Sequence, residues 1–193
     1  MTIDQDTRNA ITSMTSVHIN ATIDGGGNPV SMDMSLGTTG NCEGSVTSGG
    51  YKLDVIAASG AYFLRAPGSY WSTTGVPADK LSLVADKWIA GVDASQFENF
   101  CDLPAMMASL TDGAIDDDEP KVVGTDVVDG VPAVKLQVRG DSGTNTIYVA
   151  ASSPHYALKF VSDDGKNTMD FTAINQPVTP SAPADAVDVN SLR

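Results

Sequence analysis

The sequence predicts an α+β fold in which an antiparallel sheet carries short helices on one face. Three observations predict it. Between Lys121 and Ile174, the pairs and triplets Asp129-Gly130, Asp141-Ser142-Gly143 and Asp164-Gly165 interrupt alternating or β-branched runs. Asp-Gly readily supplies the positive φ angles of a tight hairpin, so this stretch reads as a five-stranded meander. Between Val17 and Pro67, a second set of alternating runs is broken by glycine-rich turns. From Val76 to Leu110 the apolar period lengthens to that of a helix.

The elements follow in order. Ile3, Thr7, Ala10, Ile11 and Met14 lie at helical spacing over residues 4–16, with Asp4 and Asp6 near the positive end of the helix dipole. Val17, Ile19, Ala21 and Ile23 then alternate with His18, Asn20, Thr22 and Asp24, which marks a half-buried strand ending at Gly25-Gly26-Gly27-Asn28-Pro29. Met32, Met34 and Leu36 continue the alternation. Turns near 37–40, 49–50, 59–60 and 67–68 leave extended segments between them, so six strands are expected before Val76.

Pro77 near a first helical position, followed by Leu81 and Val84, predicts a short helix, and Trp88-Ile89 a brief extended segment. Beyond Asp93-Ala94-Ser95, the residues Phe97, Phe100 or Cys101, Leu103, Met106, Met107 and Leu110 form the apolar surface of a second helical piece, with Asp102 as a cap ahead of Pro104. Residues 113–119, with Asp116-Asp117-Asp118-Glu119, read as a solvated linker. The meander strands are expected over 122–128, 131–139, 144–150, 156–162 and 167–175, with Val134, Leu136 and Val138 on one face and Lys135, Gln137 and Arg139 on the other. Gln176-Pro177-Val178-Thr179-Pro180-Ser181-Ala182-Pro183 cannot donate a regular ladder and should run extended over the surface.

Composition narrows the function. A chain of 193 residues is long enough for one sizeable core, and nothing in it forces a division into two domains. Eleven basic against twenty-four acidic residues, a formal charge of -13, argue against binding nucleic acid or anionic headgroups. No apolar run approaches the roughly 20 residues that span a bilayer. The start, Met1-Thr2-Ile3-Asp4-Gln5-Asp6, lacks the regions of a signal peptide, so the chain as it stands reads as soluble. Two cysteines, Cys42 in a strand and Cys101 opening a helix, have no Cys-x-x-Cys motif and only His18 and His155 as further soft ligands. A disulfide is expected rather than zinc, the other reading being two buried thiols.

The chemistry of catalysis is hard to find. No Gly-x-Ser-x-Gly occurs, and Ser142 sits in a hairpin turn, Gly-Asp-Ser-Gly. His18 falls on the polar side of its strand and His155 follows Pro154 in a loop, both expected to be exposed. Gly25-Gly26-Gly27 and Gly165-Lys166 fit no phosphate-loop pattern. The acidic run 116–119 lacks the spaced carboxylates and glycine of an EF-hand, and adjacent acids in a loop do not flank a substrate. Neither a catalytic residue nor a metal or cofactor site is expected, and the chain reads as non-enzymatic.

Ser16-Val17-His18-Ile19, Gly40-Asn41-Cys42-Glu43-Gly44-Ser45-Val46, Tyr70-Trp71, Asp86-Lys87-Trp88-Ile89, Val128-Asp129-Gly130-Val131-Pro132-Ala133-Val134 and Ile147-Tyr148-Val149-Ala150 together resemble actinobacterial lipoproteins of the LppX/LprG type. The resemblance spans most of the chain. It implies a single LolA-like lipoprotein domain over 1–193, with a strongly curved half-barrel of about eleven antiparallel strands and short helices across its concave face. It further implies a place outside the cell, at the outer face of the membrane, through an acylated N-terminal cysteine. No such cysteine precedes Thr2 here. Members of that group hold lipids in an apolar cavity, which makes a lipid or other amphiphile the implied partner and lipid transport the implied role. The candidate lining is Val17, Ile19, Met32, Met34, Leu36, Leu53, Val55, Leu64, Leu136, Val138 and Phe160 from the sheet, opposed by Phe97, Leu103, Met106, Met107 and Leu110. Val134, Leu158, Phe171 and Ile23 are expected to face the same way. The alternative is a packed scaffold that recognises an envelope protein and has no ligand cavity.

Overall fold

Alternation and turn chemistry produce two meanders that meet at one strand. The computed structural model describes residues 3–24, 26–92, 101–114, 120–140 and 143–192, with the side chains of 3–5, 109–114, 140 and 192 excepted. The first meander is β1 (Ser16–Asp24), β2 (Pro29–Gly37), β3 (Cys42–Ser48), β4 (Tyr51–Ala58), β5 (Ala61–Arg65) and β6 (Trp88–Ala90). The second is β7 (Lys121–Val128), β8 (Val131–Gly140), β9 (Gly143–Ala150), β10 (Ala157–Val161) and β11 (Thr168–Thr172). Pairing of β1 with β11, and of β6 with a final β12 (Val187–Asp188), gives one open sheet of twelve strands in the order β12-β6-β5-β4-β3-β2-β1-β11-β10-β9-β8-β7. Every neighbouring pair is antiparallel except β12 with β6.

Helices lie against one face of this half-barrel. They are α1 (Ile3–Thr12), α2 (Gly68–Thr73), α3 (Leu81–Val84) and α4 (Leu103–Ala114). α1 packs on α4 and β10, and α4 on β8. The expected first helix is shorter than its apolar spacing. Its end carries Thr12 and Ser13, whose hydroxyls donate back to the Arg8 and Ala10 carbonyls and compete with the regular ladder. At α4 the expected cap is in place, with the Ala105 N–H donating to Asp102 Oδ1 at 2.9 Å.

Three expectations are corrected. Five strands precede Val76, not six, because Pro67-Gly68 opens a helix instead of a further strand. Pro67 is the extended N-cap of α2, at φ -67° and ψ 155°, and Trp71 on that helix buries its ring while its indole N–H donates to the Ala66 carbonyl at 3.2 Å. Pro77 does not begin α3, which starts at Leu81 after an intervening turn. Gly113 and Ala114 continue α4 where a linker was expected, and residues 115–119 lie outside the described ones. The proline-rich tail makes no ladder over 177–183, as expected, but then returns to add β12.

Candidate functional site

Register places the apolar residues of consecutive strands side by side. One row runs Ile89, Leu64, Val55, Gly44, Met34, Ile19 and Phe171 from β6 to β11. A second runs Leu53, Val46, Met32, Ala21, Met169, Phe160, Ile147 and Leu136 from β4 to β8. Because side chains alternate along a strand, each row lies on a single face, and the two rows form one apolar floor beneath the helices.

Eleven of the sixteen predicted lining residues are buried in one apolar cluster: Val17, Ile19, Met32, Met34, Leu36, Val55, Leu64, Leu103, Met107, Leu136 and Val138. Leu53, Met106 and Phe160 are half-buried against it. Phe97 lies outside the described residues, as does the side chain of Leu110 on α4. Val134 and Phe171 also belong with the cluster. Ile23 keeps the phase of Ile19 and Ala21, opposite Val30, and at the far end of β1 it is 41% exposed. One further expectation is corrected. Leu158 is displaced from the cluster by a bulge between Ala157 and Lys159, which brings Ala157 opposite Val149 instead.

Other members of the cluster escaped the sequence reading. Ile147, Val149 and Met169 carried a usable signal, since they alternate within their strands exactly as far as the turns allow. Trp71 did not, because α2 is six residues long and buries only that residue.

Two features hold the floor and its cover together. Cys42 on β3 and Cys101, just ahead of α4, form a disulfide across 59 residues with Cα atoms 5.4 Å apart, and both cysteines are fully buried. It clamps a helix to the sheet, and closing a loop of that length is worth about 4 kcal/mol in the chain-entropy model. Gly44 sits opposite Met34 at φ +150°. A Cβ there would collide with the Asp33 carbonyl oxygen and come within 2.9 Å of Met34 Sδ, so the glycine makes room for the methionine on the concave side.

The opposite face of the same strands carries paired charges beside a few small or aromatic apolar residues such as Phe63 and Ala133. Arg65 donates from Nε to Asp54 Oδ2 at 2.9 Å, pairs with it again through Nη2, and lies over the Trp88 ring at 4.8 Å. Lys159 pairs with Asp170 at 2.9 Å, and Lys135 with Asp126 at 2.8 Å. The hydrogen bond from Lys135, with that from the Val127 N–H, holds the Asp126 carboxyl below the usual carboxylate range. The histidines are half-buried rather than exposed. His18 Nδ1 is 3.0 Å from Ser35 Oγ with Nε2 3.3 Å from Asp33, and His155 Nδ1 is 2.7 Å from the Ala150 carbonyl oxygen. Strand pairing supplies these partners from neighbours distant in sequence or across a turn.

Two clefts among the described residues lie outside the concave floor. One of about 460 Å3 on the opposite face is lined by His18, Asp33, Glu43, Lys52, Asp54 and Arg65, among others. Another, of about 300 Å3, lies beside the disulfide between Gly37, Thr38, Tyr62, Asp102 and Pro104. Neither carries an apolar lining comparable with the concave floor. No group of three or more metal-ligating side chains occurs among the described residues. The acidic run 116–119 and the turn residues Asp141-Ser142 lie outside them.

The fold recurs in solved crystal structures. LprF from Mycobacterium bovis superposes with a TM-score of 0.64 at 17% identity, covering 94% of this chain and 95% of that one. The chain has the LprF fold. The Mycobacterium tuberculosis lipoprotein LppX gives a TM-score of 0.56 at 16% identity, over 93% of this chain and 96% of its own. No family model and no curated sequence matches the chain. The LprF-like architecture agrees with the fold implied by the resemblance to LppX/LprG-type lipoproteins. At such identity the likeness is one of backbone, so the character of the interior rests on this chain's own side chains.

Proposed function

We propose that the protein is a non-enzymatic carrier or receptor for an amphiphile, whose acyl chains lie between the concave face and the helices α1 and α4. The observation that carries this reading is the methionine content of the interior. Met14, Met32, Met34, Met107 and Met169 are buried in the apolar cluster and Met106 packs against it, leaving only Met1 of the seven. Methionine is unbranched and polarizable, and it suits a surface that must fit flexible chains better than a core that must hold one shape. The proposed lining comprises those of the predicted residues that are described, with Ile147 and Met169 added. Binding is driven by apolar burial, at roughly 0.8 kcal/mol for each methylene removed from water. The LprF-like fold supports the same reading, and a lipid would supply anchorage at the outer face of the membrane.

One observation favours a second reading. Ile19, Met34, Leu36, Leu64, Ile89 and Leu103 are essentially inaccessible, as in a packed scaffold that recognises another envelope protein through its outer surface. Lipid extraction decides between them. Protein purified from its native host should release amphiphile on organic extraction, detected by mass spectrometry, and a fluorescent fatty acid should bind the extracted protein saturably. A blank extract together with no probe binding rejects the carrier reading.

A further inference from the structure

The two ends of the apolar floor are finished differently. At the end where β1 begins, the chain closes over it. The Thr15 N–H and hydroxyl both donate to Asn175 Oδ1, at 2.8 and 3.1 Å, the Asn175 N–H donates to the Ser16 carbonyl at 2.9 Å, and the Thr38 N–H to the Thr15 carbonyl at 3.0 Å. The Cys42–Cys101 disulfide fixes the start of α4 at the same end. Val17, Leu36 and Ala57, the concave residues of β1, β2 and β4 at this level, are at most 1% exposed.

At the opposite end, where β1 turns into β2 and β3 into β4, the described residues leave the floor open. Along β1 the concave side chains are Val17, Ile19, Ala21 and Ile23, and only the last is exposed. Its partner Val30 on β2 is half-buried, Ser48 on β3 is exposed, and Tyr51, opposite Ser48 on β4, is half-buried. Four consecutive strands lose their cover at one end, so the gap belongs to the architecture and not to one misplaced side chain. Leu53 and Phe160, one step further in, are half-buried too. Beside the gap stands α2, whose Tyr70 ring meets Tyr51 edge-on at 5.9 Å. An apolar surface half in water at the end of a buried floor lets a flexible chain slide in without dismantling the packed part.

The rim of this mouth is acidic. The β1–β2 and β10–β11 turns are joined there by the Asp24 N–H, which donates to Asn167 Oδ1 at 2.8 Å. Together they carry Asp24, Asp163 and Asp164 against one cation, Lys166. Lys166 Nζ lies 3.5 Å from Asp24 Oδ2 and 3.6 Å from Asp164 Oδ2, so its charge is already answered. A negatively charged head would have to take Lys166 from these carboxylates or face their repulsion, whereas an uncharged head finds hydrogen-bonding groups on both turns. Any polar head stays at the rim, because burying it in the apolar cluster without partners is costly.

On the carrier reading, which this step requires, we infer that the mouth admits an amphiphile tail first: the acyl chain passes over Ile23, Val30 and Leu53 towards Met32 and Met169, and a head without negative charge stays at the Asp24–Lys166 rim. Displacement of N-phenyl-1-naphthylamine, an uncharged apolar dye, by decanoyl compounds tests this on the whole chain. At pH 7 and low salt, 1-decanoylglycerol should displace the dye at an about fivefold lower concentration than decanoate, the factor carried by roughly one exposed like-charge contact. Added salt should narrow the difference. Asp24→Asn with Asp164→Asn frees Lys166 and should bring decanoate level with the glycerol ester. Ile23→Cys, labelled with bimane, should shift its emission to the blue when 1-decanoylglycerol is added, while the same label on Ser31→Cys, on the convex face of the neighbouring strand, should not. If both compounds displace the dye equally from the wild-type chain, or the label at position 23 does not respond, the mouth and the choice of head are overturned while the carrier reading stands. If neither the dye nor either compound binds, the carrier reading falls and the mouth with it.

Discussion

The concave and convex faces are built from the same strands, one residue apart, and differ in what they contribute. Leu64 is buried in the apolar row while its neighbour Arg65 lies 44% exposed over Trp88. Met34 is inaccessible while Asp33 beside it faces His18 in water. Cohesion of the fold is concentrated on the concave side, where apolar surface leaves water, and the convex side contributes solubility and pairing specificity at little energetic gain. The two faces can therefore be perturbed independently along a single strand.

The largest expected effect comes from releasing the cover from the concave face. Replacing Cys42 and Cys101 together by serine removes the covalent tie between β3 and the start of α4. Urea unfolding should show a loss of about 4 kcal/mol. A loss below about 1 kcal/mol would mean that packing alone holds α4 in place. Next is the adjacent pair on β5. Leu64→Ala should cost about 3 kcal/mol through lost burial and an unfilled space, whereas Arg65→Ala should cost less than about 1 kcal/mol, since an exposed ion pair is screened by water and salt. Equal losses from the two substitutions would erase the distinction between the faces.

Gly44 sharpens the comparison at the level of the backbone. Its strand must carry Glu43 and Ser45 outwards while leaving the concave position empty for Met34. Gly44→Ala meets main-chain atoms of β2, which cannot swing away as a side chain would, and it places an L residue at φ +150°. A loss of about 2 kcal/mol is expected. Gly44→Ala combined with Met34→Ala should recover little of it, because the Asp33 carbonyl remains in the way. Full recovery would show that the methionine alone imposes the glycine.

Much of this architecture was legible because its signals are local. Val134, Leu136 and Val138 alternate, and Asp129-Gly130 forms the positive-φ turn that the dipeptide announces. Asp102 caps α4 through a contact three residues away. What was lost lies where a local pattern is too short or is shifted by one residue. α2 has six residues and one buried side chain, too few to display a period. β12 has two, and its pairing with β6 joins segments almost a hundred residues apart in a parallel sense that no turn announces. The bulge at Ala157 and Lys159 changes the phase of β10 part-way along, and Leu158 leaves the face that alternation assigns to it. Of the candidate site, membership of the buried apolar cluster was readable from alternation. Its occupancy was not, since a packed core and an acyl-chain site use the same residue types.

The smallest expected effect belongs to the convex face and depends on pH. Asp126 is held below the usual carboxylate range first by the Lys135 hydrogen bond and then by the Val127 N–H. Its folded-state pKa is thus lower than its unfolded one, so the pairing stabilises the fold above the unfolded value, about 3.9, and this contribution disappears as pH falls through the folded value. Lys135 has its pKa raised, first by the same hydrogen bond, and so contributes fully below its unfolded value and loses that contribution only as pH rises through the folded one, at the alkaline extreme. At neutral pH both contributions are present. Wild type should therefore be slightly more stable than Asp126→Asn at pH 7, and the gap should close below about pH 4. Added salt should narrow the gap at pH 7, since the pair lies in the reach of solvent. A gap unchanged from pH 7 down to acid would show that the carboxylate charge is not what Asp126→Asn removes, because both the Lys135 bond and the Val127 N–H bond weaken when the carboxyl is protonated.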